Sequence, residues 1–178
     1  MSKTSDWVYK TLVVVSWAIF IGLSIEAVGF IVNFIISVYK PGFVNNLYQR
    51  LDLTELYKHS SRAFYSTYAF ILSIAILKAV LFYLVVLLMS NINMANPFTK
   101  GVAQQIERLS HYTLSIGLLS CIAKESPHAF PIKDDDMASL ELFWSSGEAF
   151  LLMAAVVYVI ATIFRKGVEL QNESDLII

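Results

Sequence analysis

The sequence has few charged residues and a single cysteine. Lys, Arg, Asp and Glu together make up 15% of the 178 residues, whereas soluble domains carry about 25%. Cys121 has no second cysteine in the chain, which excludes an intramolecular disulfide and a metal site built from cysteines alone. The formal net charge of −1 gives no reason to expect nucleic-acid binding or an acidic substrate.

The sequence also lacks the residue combinations of familiar catalytic and metal sites. It has no H-E-x-x-H motif, no phosphate-binding loop, and no Ser/His/Asp or Cys/His set that the segment order would bring together. His59, His111 and His128 fall in three different segments, so haem held by two histidines is not expected. The acidic run 134–136 lacks the ordered ligand spacing of a calcium loop and favours a solvated loop. We therefore predict no enzyme activity, no cofactor and no metal.

Long apolar runs are the feature that the sequence has in abundance. Hydrophobic residues make up 57% of the chain, and the mean hydropathy is +0.63. The first run, residues 12–38, would be roughly 40 Å long as a helix, whereas the hydrocarbon core of a bilayer is roughly 30 Å thick. It is too long for the apolar region of a secretory signal peptide, so it is better interpreted as an uncleaved membrane span.

Four such runs predict an all-α integral membrane four-helix bundle, formed by a single transmembrane domain over residues 1–178. The predicted spans are residues 12–38, 63–89, 107–124 and 142–164. The apolar part of the third, residues 109–123, supplies only about 22 Å of helix, so Arg108 and Lys124 must reach towards the two interfaces. The rest of the chain is predicted to form an interfacial segment at 43–62, an acidic loop at 125–141 and a short polar C-terminal tail at 167–178.

Small and polar residues recur at helical spacing in three of these spans, which predicts the faces that pack inside the bundle. In the first span this face carries Gly22, Glu26, Gly29, Asn33 and Ser37, and the residues predicted to face lipid are Ile19, Phe20, Phe30 and Ile31. The packing faces of the other two spans are Ser110, Thr113, Gly117, Ser120 and Lys124 in the third, and Ala154, Tyr158 and Ala161 in the fourth.

Two oppositely charged residues lie near the middle of adjacent spans. Glu26 in the first span and Lys78 in the second fall at comparable depth if the two helices are antiparallel. A lone charge at a helix centre costs roughly 2.5–3.5 kcal/mol on insertion scales, so we predict an intramembrane ion pair. Such a pair can set the register of the two helices. Alternatively, it can form a proton- or ion-sensitive site, with Asn33 and Ser73 as accessory polar residues.

The orientation is predicted from the charges next to the spans. Lys and Arg are balanced between the two sides, so the positive-inside rule does not decide. Arg165 and Lys166 directly follow the last span, whereas the loop before that span is strongly acidic. These features favour a multi-pass protein of the cell membrane with both termini in the cytoplasm.

Two motifs flank the last two spans. Asn96-Pro97-Phe98-Thr99 precedes the third, where Thr99 can cap the following helix. Phe164-Arg165-Lys166-Gly167-Val168-Glu169-Leu170 ends the fourth and leads to the acidic tail at 173–178. In order and spacing these pieces resemble a bacterial membrane-protein family known as domain of unknown function 2975. The resemblance implies a four-span protein of the bacterial inner membrane, often encoded beside a small helix-turn-helix regulator, and it supplies no catalytic residue.

Three functions follow as hypotheses. The first is a regulatory or sensor protein that engages a cytoplasmic DNA-binding regulator and does not itself contact nucleic acid. The residues predicted to contact this partner are Pro97, Phe98, Thr99, Arg165, Lys166 and Glu169. The second is a small transporter or channel subunit that uses Glu26 and Lys78, and that needs a homo-oligomer to form a pathway. The third is a structural or immunity-type interaction protein.

Overall fold

The protein is an all-α bundle, as predicted. The computed structural model describes residues 3–40, 53, 56–57, 60–92, 97–125 and 146–175. Most of these residues lie in four helices: α1 (Lys3–Tyr39), α2 (Ser61–Asn91), α3 (Lys100–Glu125) and α4 (Gly147–Asp175). Most of the predicted interfacial segment 43–62, nearly all of the acidic loop 125–141 and the predicted first residues of the fourth span, 142–145, lie outside the described residues.

Three of the helices have the length and composition of membrane spans. They cover Trp7–Tyr39, Ser61–Asn91 and Gly147–Glu173. α3 is not among them, because charged and amide side chains occupy its first third and make it amphipathic. The predicted third span, 107–124, is therefore helical, but its crossing of the membrane stays a prediction.

Consecutive helices are antiparallel neighbours. The main helix–helix contacts join α1 to α2, α2 to α3, and α3 to α4. The Tyr9 hydroxyl near the start of α1 donates a hydrogen bond to the Met89 carbonyl near the end of α2. Residues from the last turn of α2 pack with Val102 and Ile106 in the first turns of α3. As a result, the start of α1 and the end of α4 lie at the same end of the bundle.

The contact between α1 and α2 is filled by aromatic rings. Phe30 and Tyr68 are fully buried, and their ring centroids lie 6.4 Å apart in an edge-to-face arrangement. Phe34 stacks on Tyr68 at 5.3 Å, and the Phe64 ring, one turn before Tyr68 on the same face of α2, lies 5.7 Å from it. The Tyr68 hydroxyl donates a hydrogen bond of 3.0 Å to the Phe30 carbonyl, which satisfies the one polar group that this ring carries.

The predicted packing face of α1 is confirmed only in part. Phe30, which was expected to face lipid, is buried, whereas nothing lies within 4 Å of the place where a Gly22 Cβ would stand. Ile19 and Ile31 are exposed, as predicted. Ser37 is buried and Glu26, Gly29 and Asn33 are half-buried, in line with the prediction, but Leu23, Ala27, Phe30 and Phe34 are half-buried or buried as well. The observed face is therefore wider than predicted, because it includes the side on which the Phe30 and Phe34 rings pack against α2.

The contact between α3 and α4 is formed by small residues. A Cβ on Gly117 would lie 2.7 Å from Leu151 Cδ2, and one on Gly147 would lie 2.9 Å from Ser120 Cβ. The Ser110 hydroxyl donates a hydrogen bond of 3.0 Å to the Ala154 carbonyl across the helices. Small side chains let helix backbones approach this closely, so the two helices form a tight antiparallel hairpin.

The predicted packing faces of this hairpin are largely confirmed. Ser110, Thr113, Gly117 and Ser120 are buried on α3, while Lys124 is exposed. On α4, Ala154 and Ala161 are buried, but the prediction for Tyr158 is wrong because its side chain is 47% exposed. Gly147, Ala154 and Ala161 are spaced every seven residues and form a narrow stripe, which leaves no room for a tyrosine ring between the backbones.

Candidate functional site

The segment before α3 is held by a local hydrogen bond. The Thr99 Oγ1 accepts a hydrogen bond of 3.3 Å from the backbone N–H of Val102. The first N–H groups of a helix have no partner within it, and a threonine at this position supplies one. The predicted capping role of Thr99 is confirmed. Phe98 directly precedes this capping residue and therefore lies next to the start of α3.

Phe98 joins the two sequence motifs. Its ring lies 5.1 Å from the Phe164 ring, centroid to centroid. A Cβ on Gly167 would lie only 2.7 Å from Phe98 Cδ1. The Phe98 ring therefore lies across the backbone of α4 at Gly167, where a larger residue would displace it. The segment before α3 and the charged end of α4 thus form one surface.

The predicted end of the fourth helix at Arg165-Lys166-Gly167 is wrong. α4 continues to Asp175, so residues 167–175 of the predicted polar tail are helical. Glycine inside a helix costs about 1 kcal/mol relative to alanine, but at Gly167 any larger residue would collide with the Phe98 ring. Charged side chains on the helix surface do not interrupt its backbone hydrogen bonds, and α4 therefore extends past the last apolar residue of the span.

A charged groove runs between α3 and α4 beside this contact. At one end, Arg165 Nη1 lies 3.8 Å from Glu107 Oε1, with the side chains 50% and 36% exposed. The groove has a volume of about 410 Å³, and it is lined by Lys100, Ala103, Gln104, Glu107, Arg165, Val168, Glu169 and Asn172. It therefore combines two cationic groups, two carboxylates and two amides.

The structure brings the residues predicted to contact a partner to one end of the bundle. Phe98 is 41% exposed, Arg165 and Glu169 line the charged groove, and Lys166 is exposed on the next position of α4. Pro97 is half-buried, and its carbonyl accepts a hydrogen bond of 3.0 Å from the Thr99 N–H. Their role in binding a partner stays a prediction.

The predicted midplane pair is a second candidate site. The Lys78 ammonium lies 5.8 Å from the centroid of the Phe150 ring on α4, within the range of a cation–π interaction. Glu26 interacts electrostatically with Lys78, although no direct salt bridge joins the two in the described residues. Asn33 is half-buried, and Ser73 is exposed on the side of α2 that faces Leu119. The ion pair stays a prediction.

Comparison with known proteins identifies a family for most of the chain. A family described as "Protein of unknown function (DUF2975)" matches residues 47–178, nearly three quarters of the chain. The chain belongs to this family. The matched residues contain α2, α3, α4 and both motifs, and the match begins after α1. No curated protein and no solved structure matches this DUF2975 chain.

Several residues of the charged groove in this DUF2975 protein were not predicted from the sequence. Lys100, Gln104 and Glu107 lie at positions i, i+4 and i+7 of α3, and the residues on α4 repeat this spacing. A helical stripe of polar residues was therefore visible on α3, but the stripe on α4 lies where a tail and not a helix was predicted. The register between the helices was not visible, because it depends on the contact of Phe98 with Gly167, which are distant in sequence.

Proposed function

We propose that this DUF2975 protein is a membrane-embedded regulatory or sensor protein that binds a soluble partner at the charged end of the α3–α4 hairpin. The observation that supports this most is the contact of Phe98 with Gly167 and Phe164. It unites two motifs in one exposed surface, around which Arg165, Lys166 and Glu169 are arranged. The function is one of binding, and we propose no enzyme activity.

The proposed partner is a small helix-turn-helix regulator in the cytoplasm, the kind of neighbour that the family resemblance implies. The protein itself contacts no nucleic acid. The start of α1 and the end of α4 share one end of the bundle, which supports a topology with both termini on the same side of the membrane. Arg165 and Lys166, next to the last span, favour the cytoplasmic side. That topology would present the charged end of the hairpin to a cytoplasmic partner, from a bacterial inner membrane.

Co-purification tests this function. The full-length protein and the DNA-binding regulator encoded next to it would be co-expressed, and the regulator recovered with the detergent-solubilised protein would be quantified. We expect Lys166→Glu combined with Glu169→Lys to reduce recovery at least about tenfold, because reversed charges oppose a complementary surface. Lys124→Glu at the opposite end of α3 is the matched control and should leave recovery unchanged. Equal recovery with all three proteins would contradict the proposal.

A small transporter or channel subunit is the second candidate. It is favoured by the position of Lys78 between the charge of Glu26 on α1 and the Phe150 ring on α4. Four helices enclose little space, so this function requires a homo-oligomer. Ion or solute flux into liposomes would be abolished by Glu26→Gln, whereas flux that survives this substitution would end the hypothesis. A purely structural or immunity-type protein would show neither flux nor binding of the regulator.

A further inference from the structure

The charged groove begins where the apolar part of α4 ends. Phe164 is the last residue of the apolar stretch, and Arg165 is the first charged residue after it. On α3, Glu107 stands at the same level, since it lies 3.8 Å from Arg165. From Arg165 to Asn172 the helix rises about 10 Å. The headgroup layer of a bilayer is about 5–8 Å thick on each side, and the groove is therefore long enough to cross it.

The charges in the groove are of both signs and nearly balanced. Lys100 and Arg165 are cationic, Glu107 and Glu169 are anionic, and Gln104 and Asn172 can donate or accept hydrogen bonds. A simple anion would be attracted by the two cationic groups but repelled by the two carboxylates. A simple cation would be attracted by the carboxylates but repelled by the cationic groups. A zwitterionic ligand satisfies both sets of groups at once.

The salt bridge between Glu107 and Arg165 leaves these groups available for a ligand. Its N–O distance of 3.8 Å is longer than the 2.7–3.2 Å of a hydrogen bond. Both side chains are partly exposed, and exposed pairs of this kind contribute only about 0–1 kcal/mol. A phosphate can therefore engage the guanidinium group, and an amine can engage the carboxylate, with little loss.

We propose that this groove binds the headgroup of a phospholipid that carries both a phosphate and a primary amine, as in phosphatidylethanolamine. Lys100 and Arg165 donate hydrogen bonds to the phosphate, and Glu169 and Glu107 accept them from the ammonium. Choline is disfavoured because its quaternary nitrogen has no N–H to donate. None of the described residues that line the groove is aromatic, so the groove offers choline no cation–π contact either. This inference does not depend on a protein partner.

The volume of the groove supports a bound headgroup. Its volume of about 410 Å³ lies within the range of about 300–1,000 Å³ that is usual for small-molecule sites. Val168 and Ala103 lie among the polar groups, and they give the glycerol end of a lipid an apolar surface. A lipid whose chains run along the apolar part of α4 can therefore place its headgroup in the groove without leaving the bilayer.

Native mass spectrometry of the full-length protein in a mild detergent tests this site. The protein would be titrated separately with phosphatidylethanolamine, phosphatidylcholine and phosphatidylglycerol of identical acyl chains. We expect one phosphatidylethanolamine to be retained about threefold to tenfold more tightly than either of the others, as partly exposed charged hydrogen bonds allow. Equal retention of the three lipids by the unsubstituted protein would overturn the proposal, and this comparison needs no variant.

Variants locate the site. Glu169→Gln and Lys100→Gln should each remove most of the preference for phosphatidylethanolamine, whereas Lys124→Gln and Glu125→Gln, exposed at the other end of α3, should preserve it. Unfolding temperatures in detergent would be compared to confirm that every variant is folded. A preference that survives the Glu169→Gln/Lys100→Gln double variant, or that the control variants lose equally, would overturn the assignment to this groove.

A phosphate and a primary amine occur together in a membrane lipid and in its soluble headgroup. Competition between the two shows which of them the groove binds. Glycerophosphoethanolamine would be added at millimolar concentration to the protein with phosphatidylethanolamine bound. If the site belongs to a membrane lipid, the lipid should stay bound, because its acyl chains add apolar contact along α4. Complete displacement by the soluble compound would overturn the lipid as the ligand.

Discussion

The α1–α2 contact and the α3–α4 contact are packed in opposite ways, one by large side chains and the other by small ones. Buried aromatic rings fill the space between α1 and α2, and the fully buried Phe30 and Tyr68 lie at the centre of this cluster. α3 and α4 are brought together by glycine, alanine and serine, as the positions of Gly117 and Gly147 show. Each pair has a buried hydroxyl-to-carbonyl hydrogen bond of 3.0 Å between the helices, and α1 and α2 share a further one from Tyr9 to Met89 at one end of the bundle. The buried polar link is common to both pairs, whereas the volume that fills the contact differs.

This difference determines which substitutions each pair tolerates. Where rings fill the space, loss of volume leaves a cavity, and added volume outside the ring cluster has little effect. Where backbones nearly touch, loss of a methyl group changes little, and added volume forces the helices apart. The variants below test the comparison in order of decreasing expected effect, and each is judged by unfolding of the full-length protein in detergent.

Phe30→Ala should have the largest effect. Removal of a buried aromatic ring typically costs about 3–5 kcal/mol, because the surroundings collapse only partly into the cavity. The matched control is Ile31→Ala at the neighbouring exposed position, which should change the stability by less than about 0.5 kcal/mol. A similar loss in both variants would mean that the α1–α2 contact does not depend on this ring.

Gly117→Leu should be the next most damaging. Its Cβ would already lie 3.0 Å from the backbone nitrogen of Leu151 as well as against the Leu151 side chain, so α3 and α4 must separate. Overpacking of this kind costs about 1–3 kcal/mol. Gly22→Leu on α1 has open space around it and serves as the control. Should Gly22→Leu destabilise the protein as strongly as Gly117→Leu, the close approach of α3 and α4 would not be the reason.

The two buried interhelical hydrogen bonds should contribute similarly. Tyr68→Phe and Ser110→Ala each remove one hydroxyl donor to a carbonyl on the neighbouring helix. Hydrogen bonds between membrane helices are worth about 0.6–1.7 kcal/mol, and we expect losses within this range for both. A loss in one variant with none in the other would show that the polar link matters in only one kind of contact.

Glu107→Gln should have the smallest effect. The Glu107–Arg165 salt bridge is long and partly exposed, so its removal should cost no more than about 1 kcal/mol. Salt screens such pairs, and the difference between the variant and the unsubstituted protein should therefore shrink in about 1 M NaCl. A loss that is large and independent of salt would indicate that Glu107 has a structural role beyond this pair.

Local patterns in the sequence predicted much of this fold. The apolar runs that became α1, α2 and α4, the cap at Thr99 and the small-residue face of α3 depend on residues close together in sequence. The full packing face of α1 could not be predicted in the same way, because it depends on how the Phe30 and Phe34 rings meet Tyr68 on another helix. The charged groove depends likewise on where Phe98 lies on α4. The extension of α4 past Gly167 was missed because the end of the apolar run was taken as the end of the helix.

The contact at Gly147 provides a natural reporter. Cys121 is the only thiol of the chain, is half-buried, and its Sγ lies 3.4 Å from where a Gly147 Cβ would stand. α4 at Gly147 therefore covers one side of that sulfur. The rate at which a maleimide alkylates the unsubstituted protein should rise when α3 and α4 separate, in membranes as well as in detergent, with no engineered cysteine.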